Sequence, residues 1–433
     1  MELFYGYQVV VPKGRQEHLD ARPALNITGK KVICQRCQTK SEKKAVCLAD
    51  GSYYCGGCLS FGRLTSKDVL ISGRRRPHLM AKHDLVWSGT YTKWQAEIAI
   101  QLCTNYLAGK NSLLWAVTGS GKTEMLFLVI EKALAQGKLL ALVAPRIDVC
   151  LELYPRLQAA FPSLDILLLY GQSKESFRES QLIICTSHQL LHFYQRFDLL
   201  IFDEIDAFPY QGDPRLAFAL SQAVTPVAQK IFLTATMSPS LLKQLDWQCE
   251  VLQLPIRFHQ RPLIVPEFSW FNNWVGCFTK QRPFKKLVAI IEQLLQDNDV
   301  LIFCSNILQM EQLAKKLQMQ ANQAVLTSVS SKDEQRTAKI KAMRQGKYRI
   351  LLTTMILERG VTFANISVIV LGANHSIYTK SSLIQIAGRV DRQEVFHHGR
   401  VLFLYDQQTS AMRQAKREIQ VLNAAAKELA DEM

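Results

Sequence analysis

The chain contains two series of short apolar runs, separated by stretches with helical or turn character. The first series comprises 113–117, 139–144, 166–170, 182–185, 199–202 and 231–233. The second series comprises 300–305, 324–329, 349–354, 366–372 and 401–405. Uncharged runs that alternate with helical stretches are typical of parallel strands covered by helices on both faces. The pattern therefore predicts an α/β fold with two parallel-sheet domains in tandem.

The segments outside these two series set the expected domain limits. Residues 256–280 contain two prolines and lose the α/β rhythm, so we interpret them as the connection between domains. Residues 408–432 have the pattern of a charged amphipathic helix, which we interpret as a packing or capping helix. The expected regions are an N-terminal region at 1–85, a first domain at 86–262 and a second domain at 263–433.

Composition indicates an ordinary globular chain with a basic surface. Of 433 residues, 48% are hydrophobic, and a chain of this length predicts two or three domains. The 52 Lys and Arg exceed the 37 Asp and Glu, which gives a formal net charge of +15. An excess of this size favours a polyanionic partner such as nucleic acid.

The sequence gives no sign of membrane insertion or secretion. No apolar run approaches the roughly 18 residues of a membrane-spanning helix. The opening MELFYGYQVVVPKGR lacks both a basic flank before an apolar core and a small-residue cleavage site. Several cysteines stand singly in apolar surroundings and are typical of small buried hydrophobic residues: Cys103, Cys150, Cys185 and Cys304. We expect a cytosolic protein.

A phosphate-binding loop is the sharpest local prediction. The apolar run Leu113–Val117 ends in a glycine-rich turn, and a helical pattern starts at Lys122. Such a turn points backbone N–H groups and the positive helix end at phosphate oxygens. The candidate nucleotide-binding residues are Thr118, Gly119, Ser120, Gly121, Lys122 and Thr123. Lys122 would reach the phosphates and Thr123 would ligate Mg²⁺. The alternative, an ordinary strand–turn–helix connection, is disfavoured by the Gly-Lys-Thr sequence.

An acidic pair follows another buried run. Asp203 and Glu204 come directly after LLIF, where two carboxylates are costly unless a cation or solvent receives them. After a phosphate loop, this arrangement predicts that Asp203 orients Mg²⁺ and that Glu204 polarises the attacking water. The alternative is an ordinary polar strand end.

Four cysteines in the N-terminal region have the spacing of a zinc site. Cys34 and Cys37 form one C-x-x-C pair, and Cys55 and Cys58 form a second pair after 17 intervening residues. We predict tetrahedral Zn²⁺ on these four thiolates, in a closed structural site. Disulfides or coincidence are the alternatives. Cys47 lies between the pairs and is expected to be a spare thiol.

A basic segment follows this region. Arg74-Arg75-Arg76 precedes Pro77 and is expected to form an exposed linker. Either the three side chains are simply solvated, or they contact phosphates of a nucleic acid beside the zinc module.

Nine short motifs occur in a characteristic order: YTKWQ, AVTGSGKTE, APRIDV, TSHQLL, DEID, TAT, LIFCS, TTMILERGVT and QIAGRVDR. The order resembles that of superfamily 2 helicases over residues 91–395. Ala116, where a general phosphate loop carries glycine, also matches the first motif of that superfamily. The resemblance implies two RecA-like domains that hold ATP and Mg²⁺ between them.

The same resemblance implies roles for residues far from the phosphate loop. Gln95 would recognise adenine, and Arg389 and Arg392 would be arginine fingers supplied by the second domain. Glu358 and Arg359, with Gly360, match the fifth motif, in which contacts to ribose or backbone are typical, and Glu358 and Gly360 are candidate nucleotide-binding residues. Asp391 departs from relatives that carry glycine there.

The N-terminal cysteines ahead of these motifs make the chain similar to the ComFA family of late-competence DNA-uptake ATPases, itself similar to PriA. This implies an ATP-driven translocase on single-stranded DNA at the cytoplasmic side of the uptake channel. The implied partners are a ComFC-type competence protein and a DprA-type single-strand handling protein, and homo-oligomerisation stays open. The alternatives are a replication-restart helicase and a zinc-dependent DNA-binding adaptor with a switch-like ATP site.

Overall fold

The structure is a computed structural model. It describes residues 4–14, 21–74, 76–77, 83–171, 173, 175–207, 210, 212–237, 241, 243, 249–320, 326–392, 395 and 398–431. The chain forms two compact units. The first unit comprises Met1–Leu114 with Thr123–Leu252, and the second comprises Trp115–Lys122 with Gln253–Met433. The short segment that contains the phosphate loop thus groups with the second unit.

Two small antiparallel sheets form the N-terminal region. Their strands are β1 (Val9–Pro12), β2 (Arg22–Pro23), β3 (Leu25–Thr28), β4 (Lys31–Cys34), β5 (Lys40–Glu42) and β6 (Asp68–Ile71). One sheet has the order β1-β6-β2 and the other β3-β4-β5. Short 3-10 helices lie at Lys43–Ala45 and Gly56–Phe61. Cys34 therefore ends β4 and Cys37 lies in the β4–β5 turn, whereas Cys55 and Cys58 lie at the start of the second 3-10 helix.

A seven-stranded sheet comes next along the chain. Its strands are β7 (Asn111–Ala116), β8 (Leu140–Ala144), β9 (Ile166–Leu169), β10 (Leu182–Thr186), β11 (Phe197–Phe202), β12 (Val224–Thr234) and β13 (Cys249–Leu254). The order is β13-β7-β12-β11-β8-β10-β9, and the pairs from β12 to β9 are parallel. The helices are α1 (Lys93–Leu107), α2 (Lys122–Met125), α3 (Phe127–Ala135), α4 (Ile147–Ala160) and α5 (Pro214–Ala223), with a 3-10 helix at Ser187–His192.

The second sheet has six strands, all in parallel pairs. They are β14 (Glu267–Trp270), β15 (Asp299–Phe303), β16 (Leu326–Val329), β17 (Ile350–Thr353), β18 (Ile366–Leu371) and β19 (Val401–Tyr405), in the order β14-β19-β18-β15-β17-β16. The helices are α6 (Gln281–Leu294), α7 (Ile307–Gln320), α8 (Arg336–Arg344), α9 (Lys380–Ala387) and α10 (Ser410–Asp431), with 3-10 helices at Trp274–Phe278 and Met355–Leu357.

Burial explains why the apolar runs predicted these strands. Every residue of β8, β10 and β11 is buried, because helices cover a parallel sheet on both faces. Along these strands, apolar positions therefore do not alternate with polar ones. The predicted fold class, two parallel-sheet domains in tandem after a four-cysteine region, is confirmed.

Two details depart from or refine the expectations. Strand β14 lies inside residues 256–280, which we expected only to connect the domains, so that interpretation is wrong for Glu267–Trp270. Four residues at a sheet edge, paired on one side with β19, are too short to show a strand pattern. The predicted C-terminal helix is present, and its buried residues lie on one face: Met412, Ala415, Ile419, Leu422 and Ala426.

Within the residues that the structure describes, no helix combines the length and apolar character needed to cross a bilayer.

Candidate nucleotide and metal sites

The phosphate loop joins the end of β7 to the start of α2. Gly119 and Gly121 have φ angles of 82° and 77°, in the left-handed region that glycine enters without strain. The Lys122 ammonium donates hydrogen bonds to the carbonyl oxygens of Ala116, at 2.8 Å, and Val117, at 3.2 Å. The ammonium thus lies across the loop, beside the backbone that would surround a phosphate group.

The remaining candidate side chains of this loop are largely buried. They are Thr118, Ser120 and Thr123. The loop backbone is also bonded to the segment after β13. The Val117 N–H donates to the Leu254 carbonyl at 3.1 Å, and the Phe258 N–H donates to the Gly119 carbonyl at 3.0 Å. These bonds fix the segment after β13 against the loop.

The acidic pair lies at the carboxyl end of β11. The Asp203 N–H donates to the Val143 carbonyl of β8 at 2.8 Å, which places the pair beside a second strand end. Glu204 has a φ of 52°, and its N–H donates to Asp203 Oδ1 at 2.9 Å. Ligands on open parallel sheets bind at this edge. The oxygen donors of Asp203 are the type that Mg²⁺ prefers.

Asp206 connects the acidic motif to the next strand. Its carboxylate accepts hydrogen bonds from the Thr234 hydroxyl at 2.9 Å and the Thr236 hydroxyl at 2.7 Å. All three side chains are buried. Strands β11 and β12 are neighbours, so the residues that come after them meet at one sheet edge.

Arg389 holds a neighbouring loop of the second unit. Its guanidinium donates two hydrogen bonds to the Glu358 carbonyl, at 2.8 and 3.0 Å, and one to the Val361 carbonyl. The Glu358 carboxylate lies 3.6 Å from Arg359 Nε, and Gly360 lies in the same loop. The two predicted sets, 358–360 and 389–392, are therefore brought together.

Asp391 explains why this position suits glycine. Its φ is 54°, and it is 2% exposed. The Asp391 carboxylate pairs with Arg261 Nε at 3.0 Å, which offsets the burial of its charge. The turn before Arg392 is thus left-handed, and an aspartate side chain tolerates that conformation. Arg392 itself is partly buried.

Gln95 lies in the first turn of α1 and is buried. Its side-chain oxygen accepts a hydrogen bond from the Thr92 N–H at 2.9 Å, and the Thr92 hydroxyl accepts one from the Gln95 N–H at 3.3 Å. This capping box positions the glutamine at the helix start. Recognition of adenine by Gln95 stays a prediction.

The four predicted zinc ligands form one buried cluster. The Sγ atoms of Cys34, Cys37, Cys55 and Cys58 all lie within 4.8 Å of one another. Two of the separations are 3.7 Å and 3.6 Å. Zinc bonds of about 2.3 Å place tetrahedral thiolate sulfurs about 3.8 Å apart, so the cluster fits Zn²⁺. Cys47 is exposed, and its thiol points to the Leu48 carbonyl at 3.5 Å.

Hydrogen bonds from neighbouring residues support this cluster. Arg36 donates from its backbone N–H to Cys34 Sγ at 3.4 Å and from Nε to Cys58 Sγ at 3.3 Å. Donors of this kind stabilise thiolates. A Cβ on Gly57 would lie 2.3 Å from the Thr39 hydroxyl, so only glycine permits this approach of the two pairs.

Within the first unit, the cysteine region is packed on the α/β part. Arg215 of α5 donates to the Gly57 carbonyl at 3.1 Å, and Gln222 donates to the Gln35 carbonyl at 3.0 Å. The Phe61 ring stacks on His188 at 5.8 Å. Both the cysteines and core residues of the first unit belong to one apolar cluster.

Arg74 and Arg76 of the basic segment are exposed, as we expected, but Arg76 is also bonded to the first unit. Arg76 forms an ion pair with Asp198, whose side chain is 8% exposed, and donates to the Gly137 carbonyl at 3.3 Å. Arg76 thus fixes the segment to the first unit. Arg75 lies outside the described residues.

Comparison with known proteins identifies the family. Residues 95–245 match the DEAD/DEAH box helicase family, and residues 283–394 match the helicase conserved C-terminal domain. Competence protein ComFA of Streptococcus pneumoniae is 42% identical over 93% of this chain and 93% of its own length. Competence protein ComFA of Bacillus subtilis is 34% identical over 98% of this chain and 93% of its own length. The chain belongs to the ComFA family.

Solved structures show the same fold. Saccharomyces cerevisiae Dbp5, solved with RNA and ADP BeF3, superposes with a TM-score of 0.62 at 16% identity, over 77% of this chain and 88% of its own. Mycobacterium smegmatis Lhr, solved with single-stranded DNA and AMP-PNP, gives 0.59 at 17% identity, over 77% of this chain and 50% of its own. The two sheets are thus RecA-like domains.

Both helicase matches fall on the candidate nucleotide residues. The first covers the phosphate loop and the acidic pair, and the second covers Glu358 to Arg392. This ComFA protein is an ATP-hydrolysing superfamily 2 helicase that uses ATP and Mg²⁺. The four cysteines precede both matches, and their cluster is compatible with zinc.

Three features of these sites were not predicted from the sequence: the contact of Asp206 with two threonines, the role of Arg36, and the position of Arg257. Asp206 and the two threonines were visible as motifs, but their contact depends on strand order. Arg36 carried no signal beyond its place between two cysteines. Arg257, which lies beside Gly119 of the phosphate loop, belongs to a stretch that we interpreted only as a connection.

Proposed function

We propose that this ComFA protein is an ATP-driven translocase on single-stranded DNA that moves transforming DNA into the cell during natural competence. The observation that carries this proposal is a complete hydrolytic residue set in a chain 42% identical to a ComFA protein. A switch protein needs to bind nucleotide, but it does not need a water-polarising carboxylate and two arginines as well.

Each residue of the set has a distinct proposed role. Lys122 neutralises the phosphates, and Thr123 and Asp203 hold Mg²⁺. Glu204 accepts a hydrogen bond from the attacking water and orients it. Positive charge from Arg392 and Arg389 would stabilise the transition state.

Arg389 can stabilise the transition state only if its guanidinium gives up hydrogen bonds to carbonyl groups and forms bonds to phosphate instead. Three of its donor interactions are directed to the Glu358 and Val361 carbonyls. We therefore propose that Arg392 contributes most of the charge, while Arg389 couples the loop at 358–361 to the same motif.

We further propose that Cys34, Cys37, Cys55 and Cys58 bind one Zn²⁺. Support comes from the buried, mutually close sulfurs and from the Arg36 donors. Four thiolates close the coordination sphere, so the metal would stabilise folding and would not act in hydrolysis.

The proposed partners derive from charge and family. A net charge of +15 favours single-stranded DNA over an uncharged ligand. On the family resemblance we also propose a ComFC-type protein and a DprA-type protein as partners, and the cytoplasmic side of the uptake channel as the place where the translocase acts.

A replication-restart helicase would share this chemistry and differ in its biological setting. A strain carrying Lys122→Ala separates the two. We expect loss of transformation with normal growth. A growth or replication defect with intact transformation would favour the restart helicase.

Translocation itself can be measured by displacement of streptavidin from one end of a biotinylated single strand. We expect displacement with ATP, and none with ATP and the Glu204→Gln variant. DNA-stimulated hydrolysis without displacement from either end would contradict a translocase.

A further inference from the structure

Arg257 lies on the segment that is bonded to the phosphate loop. Leu254 and Phe258, on either side of Arg257, hydrogen-bond to the backbone of Val117 and Gly119. The Arg257 side chain is 1% exposed. A Cβ on Gly119 would meet Arg257 Cγ at 3.7 Å and Cδ and Nε at 3.8 Å. The stem of this arginine, from Cγ to Nε, therefore lies beside Gly119 of the phosphate loop.

The guanidinium has one partner among the described residues. Nη1 donates to the Asp391 carbonyl at 2.7 Å. The buried Nε and Nη2 atoms have no hydrogen-bond partner within the described part of the chain. A buried, charged donor without a partner is costly, and such atoms are normally satisfied by a ligand or water.

The Asp391 carboxylate makes no hydrogen bond to Arg257. The carboxylate of Asp391 accepts from Arg261 Nε at 3.0 Å, whereas only its backbone carbonyl faces Arg257. Burial, with a smaller effect of the Arg392 charge, lowers the pKa of Arg257 to about 9. The local charge balance therefore favours binding of an anion.

A second buried arginine shows what a purely structural partner set looks like. Arg196 is fully buried, and its Nη2 donates to the Glu179 carboxylate at 2.7 Å. It also donates to the Tyr5 and Ser180 carbonyls. Arg196 thus has an ion pair within the fold and one unpartnered buried atom, Nε, whereas Arg257 has no ion pair among the described residues and two such atoms, Nε and Nη2. The Asp391 charge acts on Arg257, but the Asp391 carboxylate is already paired with Arg261.

We propose that Arg257 is a further nucleotide-binding residue of this ComFA protein, which contacts a phosphate group of the nucleotide held by the phosphate loop. Its Nε and Nη2 atoms supply two adjacent donors, the arrangement with which arginine binds phosphate. Because Nη1 is bonded to the Asp391 carbonyl, Arg257 also links the bound phosphate to the turn that carries Arg392. The inference rests on the proposed role of residues 118–123.

Nucleotide binding by the full-length protein tests this contact. Dissociation constants for ATP, ADP and AMP are measured for wild type and for Arg257→Gln and Arg257→Lys. We expect Arg257→Gln to weaken ATP binding roughly tenfold or more, the range for a charged hydrogen bond. Binding of AMP should change less than that of ATP. Arg257→Lys keeps the cation and should give an intermediate loss.

Two further variants separate the explanations. Arg261→Gln removes the cation that pairs with the Asp391 carboxylate and leaves the proposed phosphate contact in place, so ATP binding should stay within about twofold of wild type. Lys122→Ala tests the loop itself. If this variant bound ATP as tightly as wild type, the loop would not be the nucleotide-binding site. Thermal unfolding of every variant checks that it folds.

Three results would overturn the inference while leaving the loop assignment intact. The first is an unchanged ATP affinity for folded Arg257→Gln when Lys122→Ala has lost binding. The second is an equal fold-loss for AMP and ATP. The third is an Arg261→Gln variant that reproduces the whole loss, since Arg257 would then act only by positioning the Asp391 turn.

Discussion

The cysteine cluster takes its four thiols from residues 34–58, whereas the phosphate loop contacts backbone at residues 254–258. In the cluster, the ligand spacing along the chain already brings the sulfurs together, because a β-turn and a 3-10 helix each present one pair. Around the loop, contacts depend on strand order and on the residues that come after each strand. Local spacing can therefore specify a metal site, while a nucleotide site has to be assembled by the whole fold.

The largest effect is expected at the loop. Lys122→Ala removes the phosphate partner, so turnover should be abolished and nucleotide affinity should fall. Glu204→Gln keeps shape and binding but removes the carboxylate that orients water, so ATP should stay bound and unhydrolysed. Equilibrium binding and phosphate release measure both. Hydrolysis at the wild-type rate by Glu204→Gln would contradict the assignment of this carboxylate.

The second effect concerns the cluster. Cys55→Ala should lose the bound Zn²⁺, whereas Cys47→Ala, with an exposed thiol 3.5 Å from a carbonyl, should keep one equivalent. Elemental analysis of the purified variants provides the measurement. Retention of full zinc by Cys55→Ala, or its loss from Cys47→Ala, would show a different ligand set.

Packing changes what zinc loss should do to the rest of the protein. We expected residues 1–85 to form a region apart from the first domain at 86–262. Arg215 and Gln222, however, bond to the backbone of the cysteine region, and its cysteines share an apolar cluster with core residues of that domain. Loss of zinc should therefore also lower the thermal midpoint of the first unit. An unchanged midpoint in zinc-free Cys55→Ala would show that the cysteine region does not contribute to the stability of the rest of the first unit.

A pH effect should reveal the same packing. Burial, with a smaller contribution from the charge of Arg36, lowers the pKa of His192 to about 4. The unfolded chain, with a pKa near 6.5, takes up the proton first. Stability should therefore fall as the pH drops from about 6.5 to about 4, by up to about 1.4 kcal/mol per pH unit.

The contribution of His192 can be isolated by comparison with His192→Phe. Its ring lies between Tyr7 and Phe61, so an aromatic replacement retains the packing. Zinc thiolates also protonate in acid, and they do so in both proteins. The free energy of unfolding of both proteins is measured as a function of pH. The difference between the two proteins should be small at neutral pH and should grow in acid. Parallel curves would show that His192 does not titrate as described.

The smallest effect concerns Arg76. Removal of its guanidinium by Arg76→Gln leaves the nearly buried Asp198 without its cation. We expect a loss of roughly 1–2 kcal/mol in unfolding free energy, limited because Arg76 is itself 39% exposed. Arg178→Gln, from an exposed pair, is the matched control and should cost less. The dependence of DNA affinity on salt concentration should not change. A flatter slope of log affinity against log salt concentration would show that Arg76 contacts nucleic acid.

Sequence alone predicted the strands because parallel strands buried on both faces leave uninterrupted apolar runs, as in β8 and β11. It also predicted the cysteine ligands and the loop, whose residues are neighbours in the chain. It could not predict the hydrogen bonds of Asp206 to Thr234 and Thr236, which depend on β11 and β12 being adjacent.

Arg257 and Asp391 show the same limit in the second unit. Arginine within IRFHQRP has no motif meaning, and only the fold brings it to a glycine of the phosphate loop. The departure from glycine at Asp391 was visible in the sequence. Its accommodation through a left-handed φ and an ion pair with Arg261 required coordinates.

The central claim is that this ComFA protein couples ATP hydrolysis to single-stranded DNA. It is tested most directly by the ATPase rate of the full-length protein without nucleic acid, with single-stranded DNA, with duplex DNA and with single-stranded RNA. We predict that single-stranded DNA raises the rate most, and that Lys122→Ala abolishes hydrolysis in all four conditions. A rate that no nucleic acid changes, or that RNA raises more than single-stranded DNA, would contradict the account.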